Sequence, residues 1–373
     1  MNVPLLDLKA QFVTIGEDVR AAVDRVLESQ RFVLGSEGRA LEDELSRYCR
    51  TSYAVGCASG SDALLLALMS CGVSAGDEVV TTPFTFFATA AAITRLGARP
   101  IFVDIDPQTY NLDAARVDEA ISPRTRAIIA VHLYGQCVDM DPLIEIAEKR
   151  GIPIIEDAAQ AIGAEDRTRR AGSMGTIGCL SFYPSKNLGG AGDGGMLVTN
   201  DRSHADRLRM LHVHGESEKY HHEVVGINSR LDEFQAAVLR VKLPHLENWI
   251  RGRQERAQDY DRLFIDAGLG QQITTPHVRS NGRHVFHQYV IRVRQDARDA
   301  LRSHLREREI GCDVYYPVPL HLQKCFAFLG YRNDDFPAAE KAARETIALP
   351  IYPELSPAQQ EYVVSSISSA LSM

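Results

Sequence analysis

Short apolar runs and amphipathic segments alternate along residues 53–199, and this alternation restricts the fold more than any other feature of the chain. The amphipathic segments end at Gly72, Gly97 and Gly151, as helices commonly do. Regular alternation predicts right-handed βαβ units, and therefore an α/β domain with a mostly parallel sheet flanked by helices. The predicted strands are 53–59, 78–82, 100–104, 127–133, 152–156, 177–182 and 196–199, and the predicted helices between them are 62–71, 85–96, 113–121 and 141–150.

Two further helices are predicted before the first strand. Thr14 and Glu17 are spaced as a capping box, which places the start of a helix near Thr14 and its end near Gln30. Ser36 begins the second helical segment.

The last third of the chain predicts a smaller unit. Its predicted elements are a charged connecting helix at 231–264 that is interrupted near Pro244, a strand at 285–293, and helices at 297–309 and after Ser356. A chain of 373 residues forms two domains more often than one. We therefore predict a large α/β domain over residues 1–240 and a small C-terminal α+β domain over residues 241–373.

Composition and charge narrow the classes of partner. The formal net charge is −8 and the chain has no basic tract, which argues against nucleic acid as a partner. The seven cysteines are scattered without a C-x-x-C pair, as expected for reduced thiols in a cytoplasmic protein. No apolar run approaches the ~20 residues of a membrane span, and charges occur too early at the N-terminus for a signal peptide.

Lys186 differs from the other lysines and arginines, most of which lie in mixed-charge segments. It follows an apolar and rigid turn, Phe182-Tyr183-Pro184, and precedes a glycine-rich run that ends at Gly195. A lysine in apolar surroundings loses proton affinity, and a neutral amine is a nucleophile that can attack a carbonyl carbon. Taken alone, the stretch is equally consistent with a surface turn that carries an exposed lysine.

Asp157 supplies the chemical partner that such a lysine needs. It follows the apolar run Ile152–Ile155 and lies 29 residues before Lys186. The carboxyl end of a buried strand is where open α/β sheets bind ligands. Enzymes that use pyridoxal phosphate need a lysine for the cofactor aldehyde and an aspartate that keeps the pyridine nitrogen protonated. The pair therefore predicts a pyridoxal phosphate site.

Three motifs carry a resemblance to a known family: E-D-A-A-Q at 156–160, S-F-Y-P-S-K-N-L-G at 181–189 and G-I-N-S-R-L-D at 226–232. In this order and spacing they resemble the DegT/StrS family of sugar-nucleotide aminotransferases, over essentially the whole chain. The resemblance implies the type I fold of pyridoxal phosphate-dependent transferases, the cofactor pyridoxal 5′-phosphate, and a homodimer with shared active sites. It also implies ping-pong transamination from L-glutamate to a nucleotide-linked keto sugar, with Lys186 as the catalytic residue.

The phosphate end of the cofactor site is predicted at Gly60 and Ser61. A helix that starts directly after a strand can bind phosphate through its backbone N–H groups, although an ordinary capped helix is the alternative. The resemblance assigns Gly60 and Ser61 to the phosphate and adds the hydroxyl of Ser181.

The ring end of the site is predicted from aromatic and polar residues. A flat cofactor ring stacks on an aromatic face, and the resemblance places that face at Phe86, with Phe84 in reserve and core packing as the alternative. It places Asp157 at the pyridine nitrogen and Gln160 at the phenolic oxygen.

The sugar and the dimer partner involve later segments. In the resembling family the residue at Asn228 reaches the partner's cofactor phosphate and the residue at Arg230 faces the nucleotide-sugar. Tyr316 and His321 lie in a proline-rich segment that lines the sugar pocket in the family. The alternative for the segment with Asn228 and Arg230 is a turn before a helix. The alternative for the proline-rich segment is a structural crossover.

Two other patterns predict no site. The histidines at 212, 214, 221 and 222 match no common zinc spacing, so we predict no metal. The run 190–195 fits G-x-G-x-x-G, but it precedes a predicted strand rather than a helix, which excludes a dinucleotide fingerprint.

Two functional alternatives stay open from sequence. One is a pyridoxal phosphate-dependent sugar dehydratase, although such relatives carry histidine at the position of Lys186. The other is a non-catalytic cofactor-binding regulator, although no added DNA-binding segment is visible. The segment Tyr220-His-His, before the 226–232 motif, resembles relatives that act on 3-keto rather than 4-keto sugars. The sequence does not determine which sugar is used or whether the nucleotide is UDP or dTDP.

Overall fold

The computed structural model describes residues 1–372, with the side chains of all of them except 295 and 296. Its helices are α1 (Leu8–Ser29), α2 (Ser36–Cys49), α3 (Gly60–Ser70), α4 (Ala88–Arg95), α5 (Val117–Ala120), α6 (Met140–Arg150), α7 (Arg202–Leu211), α8 (Glu233–Lys242), α9 (Leu246–Asp266), α10 (Gln295–Glu307), α11 (Pro337–Glu345) and α12 (Pro357–Leu371). Its strands are β1 (Tyr53–Cys57), β2 (Glu78–Thr81), β3 (Arg99–Phe102), β4 (Thr125–Val131), β5 (Ile154–Asp157), β6 (Glu165–Asp166), β7 (Arg169–Arg170), β8 (Ile177–Ser181), β9 (Gly195–Thr199), β10 (Glu216–Glu218), β11 (His221–His222), β12 (Ile273–Thr274), β13 (Gly282–Arg283), β14 (Tyr289–Val293) and β15 (Thr346–Leu349). Short 3₁₀ helices lie at Ala114–Arg116, Leu133–Gly135, Leu243–His245, Leu320–Leu322 and Lys324–Leu329.

The central sheet has the strand order β1-β9-β8-β5-β4-β2-β3. β9 pairs antiparallel with both neighbours, and the other adjacent pairs are parallel. Its strands are buried almost throughout, as expected when helices cover both faces. The predicted α/β class with a mostly parallel sheet is therefore confirmed.

Helix α3 is the most deeply buried helix beside this sheet. Its segment 63–68, Ala-Leu-Leu-Leu-Ala-Leu, is buried at every position. A helix that is apolar all round is stable only when other elements surround it, and α3 packs on β8, β9, α4 and α7. This packing fixes the N-terminus of α3 at the carboxyl end of β1.

The C-terminal part contains a second, antiparallel sheet in the order β12-β14-β15. Helix α12 packs on α9 and α10, and their shared core includes Tyr260 and Phe264. Val3 joins this core, because its N–H donates to the carbonyl of Glu309 at 3.0 Å and its carbonyl accepts from Gly311 at 2.7 Å. The smaller α+β unit is present at the C-terminus, and the predicted domain boundary stays a prediction.

The start of α1 differs from the prediction. The side chain of Asp7 caps the helix by accepting from the N–H groups of Lys9 and Ala10, each at 3.0 Å. Thr14 lies inside the helix, where its hydroxyl donates to the carbonyl of Gln11 at 2.9 Å. The capping-box prediction was wrong because Asp7 caps the helix almost two turns earlier.

The sequence did not predict helices α7 and α11 or the short strands β6, β7, β10, β11, β12, β13 and β15. Most of these strands have only two or three residues, which is too short for a period-2 pattern to show. The predicted helix at 113–121 is a 3₁₀ turn followed by α5. Within residues 1–372 we find no helix with both the length and the apolar character needed to cross a bilayer.

Glu233, the first residue of α8, fixes the N-terminus of α2. Its carboxylate accepts from the N–H groups of Gly35 at 2.9 Å, Glu37 at 2.8 Å and Gly38 at 3.0 Å. Gly35, the N-cap residue of α2, has no side chain that could accept hydrogen bonds from these N–H groups. Glu233 is 2% exposed, so these bonds are shielded from water.

Replacing Glu233 with alanine should lower the free energy of unfolding by about 2–4 kcal/mol, because three buried N–H groups lose a charged acceptor. Urea or guanidinium titration measures the change. Glu37→Ala is the control: its carboxylate forms only a partly exposed ion pair with Arg240, so we expect a loss below about 1 kcal/mol. Equal losses in the two variants would contradict the capping role of Glu233.

Candidate active site

A cavity of about 530 Å³ lies at the carboxyl ends of the parallel strands. Residues that end or follow β1, β2, β4, β5 and β8 contribute to its lining, as expected for an open α/β sheet. Sequence-predicted residues that line it are Gly60, Ser61, Phe86, Asp157, Gln160, Ser181, Lys186 and Tyr316. The cavity lining does not include Asn228, Arg230 or His321.

Glu156 and Asp157 are adjacent on β5 but serve opposite sides of the sheet. Glu156 is fully buried and accepts from the N–H groups of Gly172, Met174 and Gly175 at 2.5–2.7 Å. Asp157, one position on, lines the cavity. Since successive side chains of a strand point to opposite faces, only one carboxylate of the pair is available for chemistry.

Asp157 is oriented by a chain of hydroxyl groups. The hydroxyl of Thr89 donates to Asp157 Oδ2 at 2.8 Å, and the backbone N–H of Ala159 donates to Oδ1 at 3.3 Å. The hydroxyl of Thr89 has one proton, which it donates to the carboxylate. The 3.1 Å contact between the two hydroxyls is therefore a hydrogen bond from Thr85 to Thr89. Burial raises the pKa of Asp157, and these hydrogen bonds and the charge of Lys186 act in the opposite direction. A bound cation would hold the carboxylate ionised.

Lys186 has a reactive amine. Burial lowers its pKa from 10.5 to about 8, and the negative charge of Asp157 opposes that shift. The residue retains some accessible surface toward the cavity, so its amine is desolvated yet reachable. The fraction of Lys186 that is neutral and nucleophilic near neutral pH is therefore far larger than for an ordinary lysine.

The phosphate end is shaped by close backbone packing. The side chain of Ser59 caps α3 by accepting from the N–H of Asp62 at 3.1 Å. A Cβ atom on Gly60 would lie 2.6 Å from Cβ of Ser181, and one on Gly195 would lie 2.5 Å from the backbone of Ser59. Both positions therefore require glycine. The glycine-rich run serves to bring β9 against this turn.

The motif at 226–232 reaches the same turn through Ser229. Its hydroxyl donates to Asp62 Oδ2 at 2.8 Å and accepts from the N–H of Ala58 at 3.1 Å. Asn228 beside it is exposed, and Arg230 is half-buried. The structure thus anchors the motif to the start of α3, while Asn228 and Arg230 stay outside this chain's own cavity.

The two phenylalanine candidates have different environments. Phe86 is 55% exposed and lines the cavity, with its ring 6.1 Å from that of Tyr316. Phe84 is fully buried and packs against Tyr110 and Tyr316. Only Phe86 therefore offers a ring face to a ligand.

Gln160 is held in one amide orientation. Its Oε1 accepts from the N–H of Tyr134 at 2.7 Å, and its Nε2 donates to the hydroxyl of Tyr316 at 3.1 Å. A backbone N–H can only donate, so the amide oxygen must face it and the amide nitrogen faces the cavity side. Burial raises the pKa of Tyr316, so the phenol keeps its proton and can donate it to a ligand.

His321 occupies a different environment. Its side chain has no exposed surface, its Nε2 lies 3.1 Å from Glu340 Oε1, and its ring packs edge-on against Phe336. The residue thus packs in the interior rather than on the cavity wall, and the expected substrate contact at His321 has no accessible surface there.

Sequence reasoning missed Thr85, His132 and His287 among the residues that line the cavity, and Thr89, which contacts Asp157. The i, i+4 spacing of the threonines was the available signal, since it places both hydroxyls on one side of a helix start. His132 donates from Nε2 to Glu156, because its Nδ1 accepts from the N–H of Val138 at 3.1 Å. His287 comes from the C-terminal part, and burial and then the charges of Lys186 and Arg253 lower its pKa well below the usual value.

No group of three or more His, Cys, Asp and Glu side chains suited to a metal ion occurs among the residues that the structure describes. The cavity instead combines an amine of lowered pKa, a buried carboxylate, an aromatic face and a helix N-terminus. These groups suit a flat, anionic, carbonyl-bearing molecule with a basic ring nitrogen.

The amine of Lys186 should react with a soluble aldehyde mainly above pH 8. Hydroxylamine removes any aldehyde already bound to the protein. In protein treated in this way, the yield of the adduct that borohydride reduces at Lys186 should rise with pH, with a midpoint near pH 8. In Asp157→Asn the midpoint should fall, because the carboxylate charge that supports the ammonium is gone. Quantitative peptide mass spectrometry measures both curves.

Lys242 is the internal control for this titration. Burial also lowers its pKa to about 8, but its Nζ donates to the carbonyl of Gly189 at 2.7 Å and it does not line the cavity. We expect little adduct there at any pH. A midpoint for Lys186 near the ordinary value of 10.5 would show that its amine is solvated.

Known proteins match this chain along nearly its whole length. The sequence matches the DegT/DnrJ/EryC1/StrS aminotransferase family over residues 13–368. A pleiotropic regulatory protein of Geobacillus stearothermophilus is 50% identical over 99% of this chain and 98% of that protein. A UDP-N-acetyl-3-dehydro-α-D-glucosamine 3-aminotransferase of Acidithiobacillus ferrooxidans is 44% identical over 99% of this chain and 98% of that protein.

Solved structures agree with the fold. DesV of S. venezuelae is similar with a TM-score of 0.95 at 44% identity, covering 99% of this chain and 98% of that one. NtdA of Bacillus subtilis, solved with bound cofactor PMP, is similar with a TM-score of 0.93 at 31% identity, covering 100% of this chain and 86% of that one. The predicted type I fold is confirmed by these matches.

The family match and the cofactor-bound relative account for the combination of groups around the cavity. The chain belongs to the DegT/DnrJ/EryC1/StrS aminotransferase family, and it is an aminotransferase whose cofactor is pyridoxal 5′-phosphate.

Proposed function

We propose that the enzyme transfers an amino group from L-glutamate to a 3-keto sugar carried on a nucleotide, by ping-pong transamination. The observation that carries this proposal is the pairing of a partly neutral Lys186 with the buried carboxylate of Asp157 in one cavity. The relative from Acidithiobacillus ferrooxidans is named for a 3-dehydro sugar and for amination at carbon 3. That name, and the Tyr220-His-His segment, support carbon 3 as the position aminated here.

The residues present fit the cofactor at both of its ends. We assign its phosphate to the N-terminus of α3 at Gly60 and Ser61, with the Ser181 hydroxyl, where the packing leaves no room for a Cβ atom on residue 60. We assign its ring to the face of Phe86 and its pyridine nitrogen to Asp157.

Gln160 completes the ring contacts in this assignment. Its amide nitrogen faces the cavity side and has a second hydrogen besides the one bonded to Tyr316, so it can donate to the phenolic oxygen. Bound pyridoxal phosphate supplies an aldehyde and an electron-withdrawing ring. The protein supplies binding, orientation and proton transfer.

Lys186 performs two tasks in the proposed mechanism. Its neutral amine would hold the cofactor through its aldehyde, with loss of water. As a free amine, Lys186 would act as a general base and acid that moves a proton within the bound substrate. A pKa of about 8 suits both tasks, because the group can accept and release a proton near physiological pH.

Asp157 and its hydroxyl chain support those steps. The carboxylate, oriented by Thr89 and Thr85, stabilises a positive charge on the ring nitrogen. Because the carboxylate is buried, an opposite charge beside it interacts more strongly than it would in water. Tyr316, whose phenol keeps its proton, is the proposed donor to the sugar.

We also propose that the enzyme is a cytoplasmic homodimer with shared active sites. Asn228 is exposed and lies outside this chain's own cavity, as a residue that serves the partner's cofactor phosphate would. We assign Arg230 to the nucleotide-sugar in the same shared site, since a guanidinium suits a diphosphate or a carboxylate. The seven free cysteines support a reducing compartment. Within each chain we propose domains at 1–240 and 241–373.

The dehydratase and regulator alternatives are less consistent with the site. A dehydratase of this family is expected to carry histidine where this chain has Lys186. The relative from Geobacillus stearothermophilus is named as a regulatory protein, yet Lys186, Asp157 and the α3 turn are all in place here. Reaction with an amino donor distinguishes these possibilities directly.

Adding L-glutamate to the purified enzyme should bleach the yellow absorbance of the pyridoxal form and produce the pyridoxamine form. Lys186→Ala should abolish the rapid conversion, because the amine that moves the proton is gone. Thr89→Val is a graded control: it keeps the charge of Asp157 but removes a hydrogen bond, so we expect conversion slowed by about tenfold or less. Stopped-flow absorbance measures all three.

A yellow enzyme that glutamate leaves unchanged would contradict the proposed donor and reaction. Equal conversion rates in the wild type and Lys186→Ala would contradict the role of Lys186.

A further inference from the structure

A second, smaller cavity adjoins the active site. Its volume is about 70 Å³, and it shares Ser185, His287, Gln288 and Tyr315 with the lining of the larger cavity. One water molecule needs about 10–15 Å³ of such space. The small cavity can therefore hold a group the size of a carboxylate, but neither a sugar ring nor a nucleotide.

Arg253 of α9 forms one wall of this small cavity. The residue is 4% exposed, and its Nη1 donates to the carbonyls of Phe286 at 3.1 Å, His287 at 3.3 Å and Ile351 at 2.8 Å. These bonds hold the guanidinium in place and engage only one of its three nitrogen atoms.

No carboxylate among the described residues lies within ion-pair distance of Arg253. The charge of Glu354 raises the pKa of Arg253, but the two side chains are more than 4.0 Å apart. Burying a positive charge without a direct counter-ion is costly. Such a charge on a cavity wall indicates an anion that arrives as a ligand.

The rest of the lining is consistent with an anion. Besides Arg253, its polar side chains are those of Ser185, His287, Gln288 and Tyr315, and the lining has no acidic residue. Oε1 of Gln288 is buried without a hydrogen-bond partner. Rotation of this amide by 180° places an N–H donor at the same point, so Gln288 can satisfy a bound carboxylate.

The small cavity lies beside the reacting amine. Ser185 directly precedes Lys186 in the chain, and His287 experiences the charges of both Lys186 and Arg253. A molecule whose amino group reaches Lys186 can therefore place a carboxylate against Arg253.

We propose that this small cavity binds a carboxylate of the amino donor, with the Arg253 guanidinium as its charged partner and Ser185 and Gln288 as hydrogen-bonding groups. The inference rests on the proposed transamination and adds a donor site to it. It explains how one cavity can accept an amino acid and a nucleotide-sugar in turn: the donor carboxylate uses the small cavity, and the sugar remains on the Tyr316 side.

The test is the dependence of the half-reaction rate on L-glutamate concentration in the holoenzyme. In Arg253→Lys the half-saturating concentration should rise about tenfold, because an ammonium cannot give the bidentate contact of a guanidinium. In Ser185→Ala it should rise about three- to tenfold through loss of one hydrogen bond to a charged group. The maximal rate should change less than the half-saturating concentration in both variants. Glutarate, which has no amino group, should compete with L-glutamate in the wild type and much less in Arg253→Lys.

Arg256→Lys is the matched control. Arg256 lies almost one turn further along α9, contacts the carbonyl of Leu355 and pairs with Asp259, and lies outside both cavities. The half-saturating L-glutamate concentration of the Arg256→Lys variant should match that of the wild type.

Unchanged half-saturation in both Arg253→Lys and Ser185→Ala, or a loss confined to the maximal rate, would overturn the donor site. If Arg253→Lys does not fold, Ser185→Ala and glutarate competition decide the question. Wild-type enzyme that glutamate does not bleach would instead overturn the proposed function itself, so the two failures are distinguishable.

Discussion

The electrostatic pairing of Lys186 with Asp157 is the constraint on which the rest of the site depends. Each group is removed from water, and burial shifts the two pKa values in opposite directions: toward a neutral amine and toward a protonated acid. Each charge opposes the other's shift. The pKa of the amine is therefore about 8, while the Thr89 hydroxyl and the charge of Lys186 favour the ionised form of Asp157.

The sheet brings this pair together from residues that are distant in sequence. β5 and β8 are parallel neighbours, with Asp157 paired to Cys179, so the end of β5 lies beside the segment that continues through Ser181 toward Lys186. The buried helix α3 adds its N-terminus at the same edge, and glycine at 60 and 195 permits the close backbone approach. A single sheet edge thus supplies an amine, a carboxylate and a helix N-terminus.

Much of this arrangement could be predicted from local sequence, and the reason is physical. Strand and helix periodicity is local, so the parallel sheet was predictable, and the chemistry of Lys186 and Asp157 depends on residue type and on position at strand ends. The spacing of Thr85 and Thr89 was a usable signal, although the bond from Thr89 to Asp157 spans 68 positions. His287 and Arg253 were not predictable, because their positions depend on contacts with distant segments, such as the bond from Arg253 to the carbonyl of Ile351. The start of α1 was missed because Asp7 and Thr14 are both acceptable caps, and the local pattern does not decide between them.

Several buried groups at the site have an incomplete set of partners among the described residues. Arg253 is buried without a carboxylate at ion-pair distance, Gln288 has an unpaired oxygen, and burial raises the pKa of Asp157. Each of these features costs folding free energy in the ligand-free chain. A ligand that compensates for them binds the folded state and not the unfolded one, so it stabilises the fold by mass action. In the proposed assignment, cofactor and donor are these ligands, so loading the enzyme should raise its free energy of unfolding.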